Sequence, residues 1–220
     1  MDDLPASSPI KFDNLTPTLF MDFDGTLHRG RGLIDEVTGK VSLDTGNPVF
    51  EFALLLANLL EPYPAVGIVL TTSWLHTLSF EQVTSDLPVP LATRVVGSTR
   101  GYKARFGYLQ DGSARTYIIR SYVFDKRLKN WLALDDSVYG ARQLSTDFLP
   151  LEPHLVLLDA QQGIASPEAQ DRISQWLRKC MSRAKNDHGP LENVGRPMSI
   201  GTLKRSEREC RRWPLGCFSR

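Results

Sequence analysis

Short apolar segments alternate along this chain with longer segments whose apolar residues recur at helical spacing. The short segments lack the regular polar alternation of a half-buried strand, which is typical of strands buried on both faces of a parallel sheet. The helical segments supply the crossovers that parallel strands require. The pattern therefore predicts an α/β fold, a Rossmann-like three-layer sandwich with a central parallel sheet. The predicted strands are residues 19–21, 65–70, 93–96, 131–134 and 154–159.

Four segments predict the principal helices. The first is ended by Pro62 and the second by Pro88 and Pro90, because proline cannot continue a helix. The predicted helices are residues 50–60, 75–87, 113–123 and 168–184. The side chains expected to face the core from the last two helices are Tyr117 or Ile118, Tyr122, Val123, Ile173, Trp176, Leu177 and Cys180.

Two connections stand apart from these elements. Val37 and Val41 flank the pair Thr38-Gly39, a hairpin-like pattern that predicts a small flap and leaves no room for a large cap domain. Residues 97–112 are rich in turn formers and predict a loop over one edge of the sheet. The basic side chains of this loop are Arg100, Lys103 and Arg105.

The composition is that of a soluble globular protein, and it limits the partners that can be inferred. The chain has 220 residues, 41% of them hydrophobic, and a formal net charge of +1, so no global field indicates a partner. We expect one catalytic domain over residues 15–184, a flexible N-terminus over 1–14 and a basic, mostly disordered tail over 185–220. No apolar run resembles a signal peptide or a membrane span, which predicts a cytoplasmic protein without a membrane partner. The sequence does not determine the oligomeric state.

The three cysteines, Cys180, Cys210 and Cys217, are late in the chain and lack the spacing of a metal site. An odd number of thiols with this placement does not favour a disulfide framework. We therefore expect each cysteine to be a buried or inert thiol.

Two aspartates follow the first predicted strand. Asp22 and Asp24 precede Gly25, which allows the chain to turn sharply away from the strand. Ligands bind at the carboxyl ends of the strands in an open α/β sheet, and carboxylates buried there are costly without a cation. The hard oxygen ligands suit Mg²⁺. The alternative is an ordinary Asp-Gly turn without a site.

Two further strands also end in polar residues. The second is followed by Thr71, Thr72 and Ser73, whose hydroxyls can donate to a phosphoryl oxygen or simply cap the next helix. The fourth ends in Asp135 and Asp136, adjacent carboxylates that repel each other unless a cation binds or a helix N-terminus takes them as caps. The nearby Trp74 is expected to pack in the core.

The strings DFDGTL (residues 22–27), VLTTSW (69–74) and LALDDS (132–137) together resemble motifs of the haloacid dehalogenase (HAD) superfamily of aspartate-nucleophile phosphatases. The closest resemblance is to the HAD domain of Swiss Army Knife RNA repair proteins, and it covers most of residues 15–184. The resemblance implies that Asp22 is the nucleophile and Asp24 the general acid/base. It also implies that Thr72, with Thr71 as the alternative, donates to the phosphoryl group.

The resemblance further implies a Mg²⁺ site made by Asp22, the backbone carbonyl of Asp24 and Asp135, with Asp136 assisting directly or through water. The family also requires a cation beside the phosphoryl group. Arg115 fits this role, and Lys103 and Arg120 are the alternatives.

The implied activity is Mg²⁺-dependent hydrolysis of phosphomonoesters through a phospho-aspartate. The second aspartate disfavours haloacid chemistry, which does not need a proton-transfer group of this kind. Because no cap is expected, we predict exposed phosphates as substrates, with the ends of RNA or DNA ahead of phosphoproteins and small metabolites. The alternatives are a small-metabolite phosphatase and a module that binds phosphate or nucleic-acid ends without turnover.

Overall fold

The structure of the protein, a computed structural model, describes residues 10–186. Residues 1–9 of the predicted flexible N-terminus lie outside the described residues, as do Cys210, Cys217 and the tail from residue 187 onward. The last helix continues to Asn186, two residues beyond the predicted end of the catalytic domain.

The centre of the fold is a five-stranded sheet in which all neighbouring strands run parallel. The predicted strands are confirmed, with bounds that differ by one or two residues. Two additional strands form a separate antiparallel hairpin, β2–β3. In chain order the strands are β1 (Thr18–Met21), β2 (Gly32–Ile34), β3 (Val41–Leu43), β4 (Gly67–Leu70), β5 (Val95–Ser98), β6 (Trp131–Asp135) and β7 (Leu155–Leu157).

The strand order β5-β4-β1-β6-β7 places β1 in the middle of the sheet. The chain passes from β1 to β4 and β5 on one side and then returns to β6 and β7 on the other side. Such a reversal opens a crevice at the carboxyl ends of the central strands, where ligands bind in folds of this kind. Met21 is in register with both Leu70 and Leu134, so the residues that follow these three strands are brought together.

Helices cover both faces of the sheet. Alternate residues of each strand point to opposite faces, so one strand contributes side chains to two core clusters. Leu19 and Met21 belong to a core cluster with α1 and α7, whereas Phe20 belongs to the cluster with α5. This confirms the three-layer sandwich. The helices are α1 (Ala53–Leu60), α2 (Phe80–Ser85), α3 (Val89–Ala92), α4 (Phe106–Gln110), α5 (Ala114–Lys126), α6 (Ala141–Leu144) and α7 (Pro167–Asn186), with 3₁₀ turns at Ser73–His76, Glu152–His154 and Gly163–Ala165.

The predicted single helix over residues 75–87 is wrong. The chain forms the 3₁₀ turn Ser73–His76 and then the separate helix α2, because the Ser79 hydroxyl accepts the Gln82 N–H at 3.1 Å and so starts a new helix. The prolines that were expected only to end the helix begin α3 instead, since the first turn of a helix tolerates proline.

Two smaller predictions are also corrected. Within residues 97–112, the predicted loop contains the helix α4. In α5 the buried apolar positions are Ile119, Tyr122 and Val123, at spacings of three and four, whereas Tyr117 and Ile118 are only partly buried.

The flap is confirmed as the β2–β3 hairpin, but its first strand ends before Val37. The Asp35 carboxylate accepts the N–H groups of Val37 and Thr38, both at 2.9 Å, and turns the chain there. Val37 is therefore exposed at the tip of the hairpin. Between β1 and β4 the described chain forms this hairpin and α1, without a large cap domain. No helix among residues 10–186 combines the length and apolar character needed to cross a membrane.

Candidate active site

Three carboxylates meet at the carboxyl ends of β1 and β6. Asp22, Asp135 and Asp136 each contribute an oxygen atom, and these atoms lie within 4.8 Å of one another. Asp22 is 4% exposed and Asp135 is fully buried. The parallel register of β1 and β6 causes this proximity, because each carboxylate lies at or just beyond the end of its strand.

Arg115 is the cation that faces this acidic cluster. Its Nε atom lies 3.1 Å from Asp135 Oδ2, and its Nη2 atom lies 3.7 Å from Asp22 Oδ1. The position of Arg115 in the first turn of α5 directs the side chain over the edge of the sheet. The other candidates lie elsewhere, with Lys103 lining an adjacent cavity and Arg120 lining a cavity that includes Trp131 at the start of β6. Of the three candidates, Arg115 is therefore the one placed against the predicted nucleophile.

The electrostatics of the cluster are dominated by burial and by repulsion between carboxylates. Burial, together with the negative charge of Asp135, raises the pKa of Asp22 well above its ordinary value, and Arg115 opposes this only in part. The same two causes raise the pKa of Asp136. For Arg115, burial by itself lowers the pKa, but the neighbouring carboxylates outweigh it and hold the pKa above its ordinary value. The cluster therefore holds more carboxyl groups than its one arginine can pair with, which opposes their ionisation when no further cation is bound.

These residues fit a hard divalent cation. Asp22 Oδ1 and Asp135 Oδ2 are both buried, and beyond their ion pairs with Arg115 neither accepts a hydrogen bond from the described residues. Buried carboxylate oxygens with so few donors are ligands that suit Mg²⁺. The side chain of Asp24 does not belong to this group, so its predicted contribution through the backbone carbonyl stays a prediction.

The Asp24 carboxylate has a different environment. Its Oδ1 atom accepts from Gly32 N–H at 3.0 Å and from Trp74 Nε1–H at 3.0 Å, and it lies 3.1 Å from His28 Nε2. Burial by itself raises the pKa of Asp24, but the hydrogen bonds from His28, Trp74 and Gly32 outweigh it and hold the pKa below its ordinary value. The three hydrogen bonds therefore favour the ionised form of this carboxylate.

The two side-chain partners of Asp24, His28 and Trp74, were not identified as site residues from the sequence. His28 lies four residues after Asp24, in a segment without a local signal for a site. Trp74 was predicted to pack in the core, which is confirmed by its 1% exposure, but its indole N–H also reaches Asp24. A third residue, Ser137, donates its backbone N–H and its hydroxyl to Asp135 Oδ1, which orients that carboxylate. Its place directly after the Asp-Asp pair was the available signal.

The hydroxyls after β4 lie at the same edge of the sheet. Thr72 Oγ1 accepts the Trp74 N–H at 3.3 Å, which leaves its own hydrogen available to donate. Thr71 Oγ1 is buried without a hydrogen-bond partner among the described residues. Ser73, the third hydroxyl that follows this strand in the sequence, lines the cleft. The role of Thr72 therefore stays a prediction, with Thr71 as the alternative.

The cleft above the carboxylates has a volume of about 690 Å³. Its floor includes Asp22, Asp24 and Asp136, and the flap residues Gly30–Arg31 and Asp44–Thr45 form one wall. Gly25 is essential to its shape, since its φ is +62° and a Cβ atom there would collide with the Asp136 carboxylate. The turn after β1 thus requires glycine for two separate reasons.

A parallel sheet of this order, with aspartates at the carboxyl ends of β1 and β6, defines a hydrolase-type domain of the HAD class. The family model of the HAD domain in Swiss Army Knife RNA repair proteins matches residues 18–169, and the chain belongs to this family. No curated protein and no solved structure was found to match the chain. Membership confirms the resemblance read from the three motifs and indicates phosphatase-type activity, and the acidic cluster could bind a metal ion.

Mg²⁺ is expected to stabilise the protein, more at high pH than at low pH. Because the pKa of Asp22 is raised in the fold, ionisation of Asp22 costs stability as the pH rises, and a bound cation offsets that cost. At about 100 times the dissociation constant, Mg²⁺ should add roughly 2.7 kcal/mol to the free energy of unfolding. Thermal melts with Mg²⁺ or EDTA measure this effect at several pH values.

Asp136→Asn should reduce the Mg²⁺-dependent shift in Tm, whereas Asp171→Asn, on the exposed side of α7, should retain it. A wild-type Tm that is insensitive to Mg²⁺ at every pH would contradict the metal site.

Proposed function

We propose that the protein is a Mg²⁺-dependent phosphatase that hydrolyses exposed phosphomonoesters through a phospho-aspartate on Asp22, with the terminal phosphates of nucleic acids as preferred substrates. The observation that carries this proposal is the contact of Arg115 with Asp22 and Asp135 beside three clustered carboxylates. A nucleophile, a cation for the phosphoryl oxygens and a set of metal ligands are thereby combined at one edge of the sheet.

In the first step, a carboxylate oxygen of Asp22 attacks phosphorus in line with the departing alcohol. The new bond joins Asp22 to phosphorus, and the bond between phosphorus and the alcohol oxygen breaks. Arg115 and the Thr72 hydroxyl hold the equatorial oxygens, where charge must be stabilised. Asp24 gives a proton to the departing oxygen. That proton comes from the monoanionic form of the bound phosphomonoester, whose second pKa is about 6, and Asp24 relays it to the departing oxygen.

In the second step, Asp24 acts as a base. It accepts a proton from water, the water oxygen bonds to phosphorus, and the bond between phosphorus and Asp22 breaks, which regenerates the Asp22 carboxylate and leaves the proton on Asp24. That proton then passes to the departing phosphate, which restores the Asp24 carboxylate. Asp22, Asp135 and Asp136, with the backbone carbonyl of Asp24, would hold Mg²⁺. When bound, the ion neutralises negative charge on the phosphoryl group and on the cluster.

The open cleft supports a large substrate, because between β1 and β4 the described residues form no insertion larger than the β2–β3 hairpin, and the residues at the base of this hairpin line the cleft. Large caps enclose small substrates and exclude water, whereas an uncapped site can reach a phosphate displayed on a macromolecule. A second cavity of about 540 Å³ shares Arg115 and Ser137 with the cleft, and Tyr102 and Lys103 line it. An aromatic side chain and a cation next to the phosphate site suit the base and backbone of a nucleic-acid end.

The test of substrate class compares kcat/KM for a terminally phosphorylated oligonucleotide and for the matching mononucleotide. We expect the oligonucleotide to be the better substrate, with an advantage that shrinks as salt is raised, since contacts to a polyanion backbone release counterions. Lys103→Ala should reduce that advantage while leaving hydrolysis of the mononucleotide nearly unchanged. Equal or better use of the mononucleotide would contradict the preference and favour a small-metabolite phosphatase.

A simpler assay distinguishes the phosphatase from a module that binds phosphate without turnover. Phosphate release from an aryl phosphate in Mg²⁺ is expected for the phosphatase and not for a binder. The complete pair of Asp22 and Asp24 favours the phosphatase, because a protein that only binds phosphate has no need of a proton-transfer carboxylate.

A further inference from the structure

We propose that His28 and Trp74 are positioning residues that fix the Asp24 carboxylate for proton transfer, an inference that rests on the proposed phosphatase activity. Neither residue lies among the clustered carboxylates, and neither role follows from the motif DFDGTL. The contacts of a single carboxylate oxygen point to this positioning role.

That atom is Asp24 Oδ1. Three donors converge on it: Gly32 N–H, Trp74 Nε1–H and the His28 ring, at 3.0, 3.0 and 3.1 Å. An ionised carboxylate oxygen has no further capacity once three donors occupy it. Asp24 lines the cleft, so the oxygen left to carry a proton to and from the substrate is Oδ2. The carboxylate is thereby held with one fixed oxygen and one reactive oxygen.

The orientation of the His28 ring is fixed by its other nitrogen. The backbone N–H of Phe50 donates to His28 Nδ1 at 3.4 Å. Because a backbone N–H can only donate, Nδ1 is the acceptor, and the ring proton lies on Nε2, facing Asp24. His28 is fully buried, so water does not compete for either nitrogen. The ring is therefore a dedicated donor to the carboxylate.

The Phe50 backbone adds an independent observation. Its φ is +62°, a left-handed conformation that is unfavourable for a residue with a bulky side chain. Strain of this kind persists where the surrounding structure enforces it, which is common at functional sites. Here the Phe50 ring packs against Trp74 and His28, with ring centroids 5.5 and 5.7 Å apart, so the strained residue holds both donors.

The third donor connects the flap to the same carboxylate. Gly32, the first residue of β2, lies against the Trp74 indole so closely that a Cβ atom would collide with Nε1. Glycine therefore allows the hairpin and the indole to reach Asp24 together. The β2–β3 hairpin thus anchors the proton-transfer group as well as forming a wall of the cleft.

The leaving group provides a test that separates positioning from general structural damage. An alkyl alcohol needs a proton as it departs, whereas p-nitrophenolate departs without one, so only the first depends on Asp24 in the bond-breaking step. Trp74→Phe removes the indole N–H while keeping an aromatic ring, and His28→Leu removes the imidazole donor. We expect each variant to lose about 10-fold or more in kcat/KM for an alkyl phosphate and no more than about 3-fold for p-nitrophenyl phosphate, because kcat/KM reports the steps up to the departure of the leaving group and not the later hydrolysis of the phospho-aspartate.

Three variants complete the comparison. His28→Gln keeps an N–H donor and should recover part of the alkyl phosphatase activity. Trp176→Phe is the matched control, because Trp176 is a buried indole whose N–H donates to Asn130 Oδ1 at 2.9 Å, away from the site. It should leave both substrates unaffected. In kcat/KM, Asp24→Asn should show the same dependence on the leaving group as Trp74→Phe, but more strongly.

An equal loss for both substrates in Trp74→Phe and His28→Leu, or no loss in either, would overturn the inference. The conservative Trp74→Phe variant decides the result if His28→Leu does not fold. Failure of the wild-type protein to hydrolyse either substrate would instead refute the proposed phosphatase. A wild-type enzyme whose Asp24→Asn variant responds to the leaving group while the His28 and Trp74 variants do not would refute only the positioning role.

Discussion

Replacing Asp22 with asparagine is expected to abolish phosphomonoester hydrolysis, with a loss of roughly 10³-fold or more in kcat. An amide is a poor nucleophile toward phosphorus and a weaker ligand for a hard cation, so the change removes both contributions of this side chain. Phosphate release under saturating substrate and Mg²⁺ measures the effect.

Asp171→Asn is the matched control for Asp22→Asn, because it makes the same chemical change on the exposed side of α7, where the Asp171 carboxylate accepts a local hydrogen bond from Gln175. It should retain wild-type turnover. Substantial residual activity of Asp22→Asn, with an unchanged circular dichroism spectrum, would rule out Asp22 as the nucleophile.

Replacing Arg115 with alanine should lower kcat/KM by about 10²–10³-fold, the usual effect of removing a group that stabilises developing charge. Arg115→Lys should recover part of this loss, since it restores the charge but not the planar group that contacts Asp22 and Asp135 together. Steady-state kinetics give kcat/KM for the wild-type enzyme and the two variants. A mononucleotide is the substrate, because it avoids contributions from the basic loop.

Arg120→Ala is the control for Arg115→Ala, since Arg120 lies on the same helix but lines a cavity away from the carboxylates. Lys103 is the competing candidate for the phosphoryl cation, and Lys103→Ala tests it. Near-normal kinetics of Arg115→Ala combined with an inactive Lys103→Ala would transfer the role of phosphoryl cation to Lys103.

The carboxylates of this site that the sequence predicted share one property, which is their place at the end of a buried strand. Asp22 and Asp135 follow apolar runs that form β1 and β6, and the rules of parallel sheets bring such ends together. Arg115 could be proposed only because the family resemblance requires a cation. Its choice over Lys103 and Arg120 needed the structure, because the direction of a side chain on α5 depends on how the helix packs.

The environment of Asp24 could not be predicted, because it depends on contacts between segments distant in the chain. Gly32 and Trp74 reach the carboxylate only after the hairpin folds back over the 3₁₀ turn that follows β4. Phe50 presents its N–H to His28 only because its backbone adopts a left-handed conformation, for which its residue type gives no signal. Local patterns carry no information on either arrangement.

The prediction of a single helix between β4 and β5 was wrong for a different reason. The apolar spacing over residues 75–87 is compatible with one helix, but the periodicity does not register the Ser79 hydroxyl, which accepts a backbone N–H and starts α2. Side-chain capping therefore outweighed periodicity in this segment. The site was unaffected, because these short helices lie after the polar residues that end β4.

The most direct test of the central claim is to trap the phosphoryl group on Asp22. Asp24→Asn leaves a nucleophile but no base for the second step, and p-nitrophenyl phosphate needs no acid for the first. Rapid mixing of this variant with the substrate and Mg²⁺ should give a burst of one p-nitrophenolate per protein, followed by slow turnover. Mass spectrometry should then find one added phosphoryl group on the peptide that contains Asp22. Turnover by the wild-type enzyme, with neither a burst nor a phosphorylated Asp22 peptide in the Asp24→Asn variant, would contradict the account.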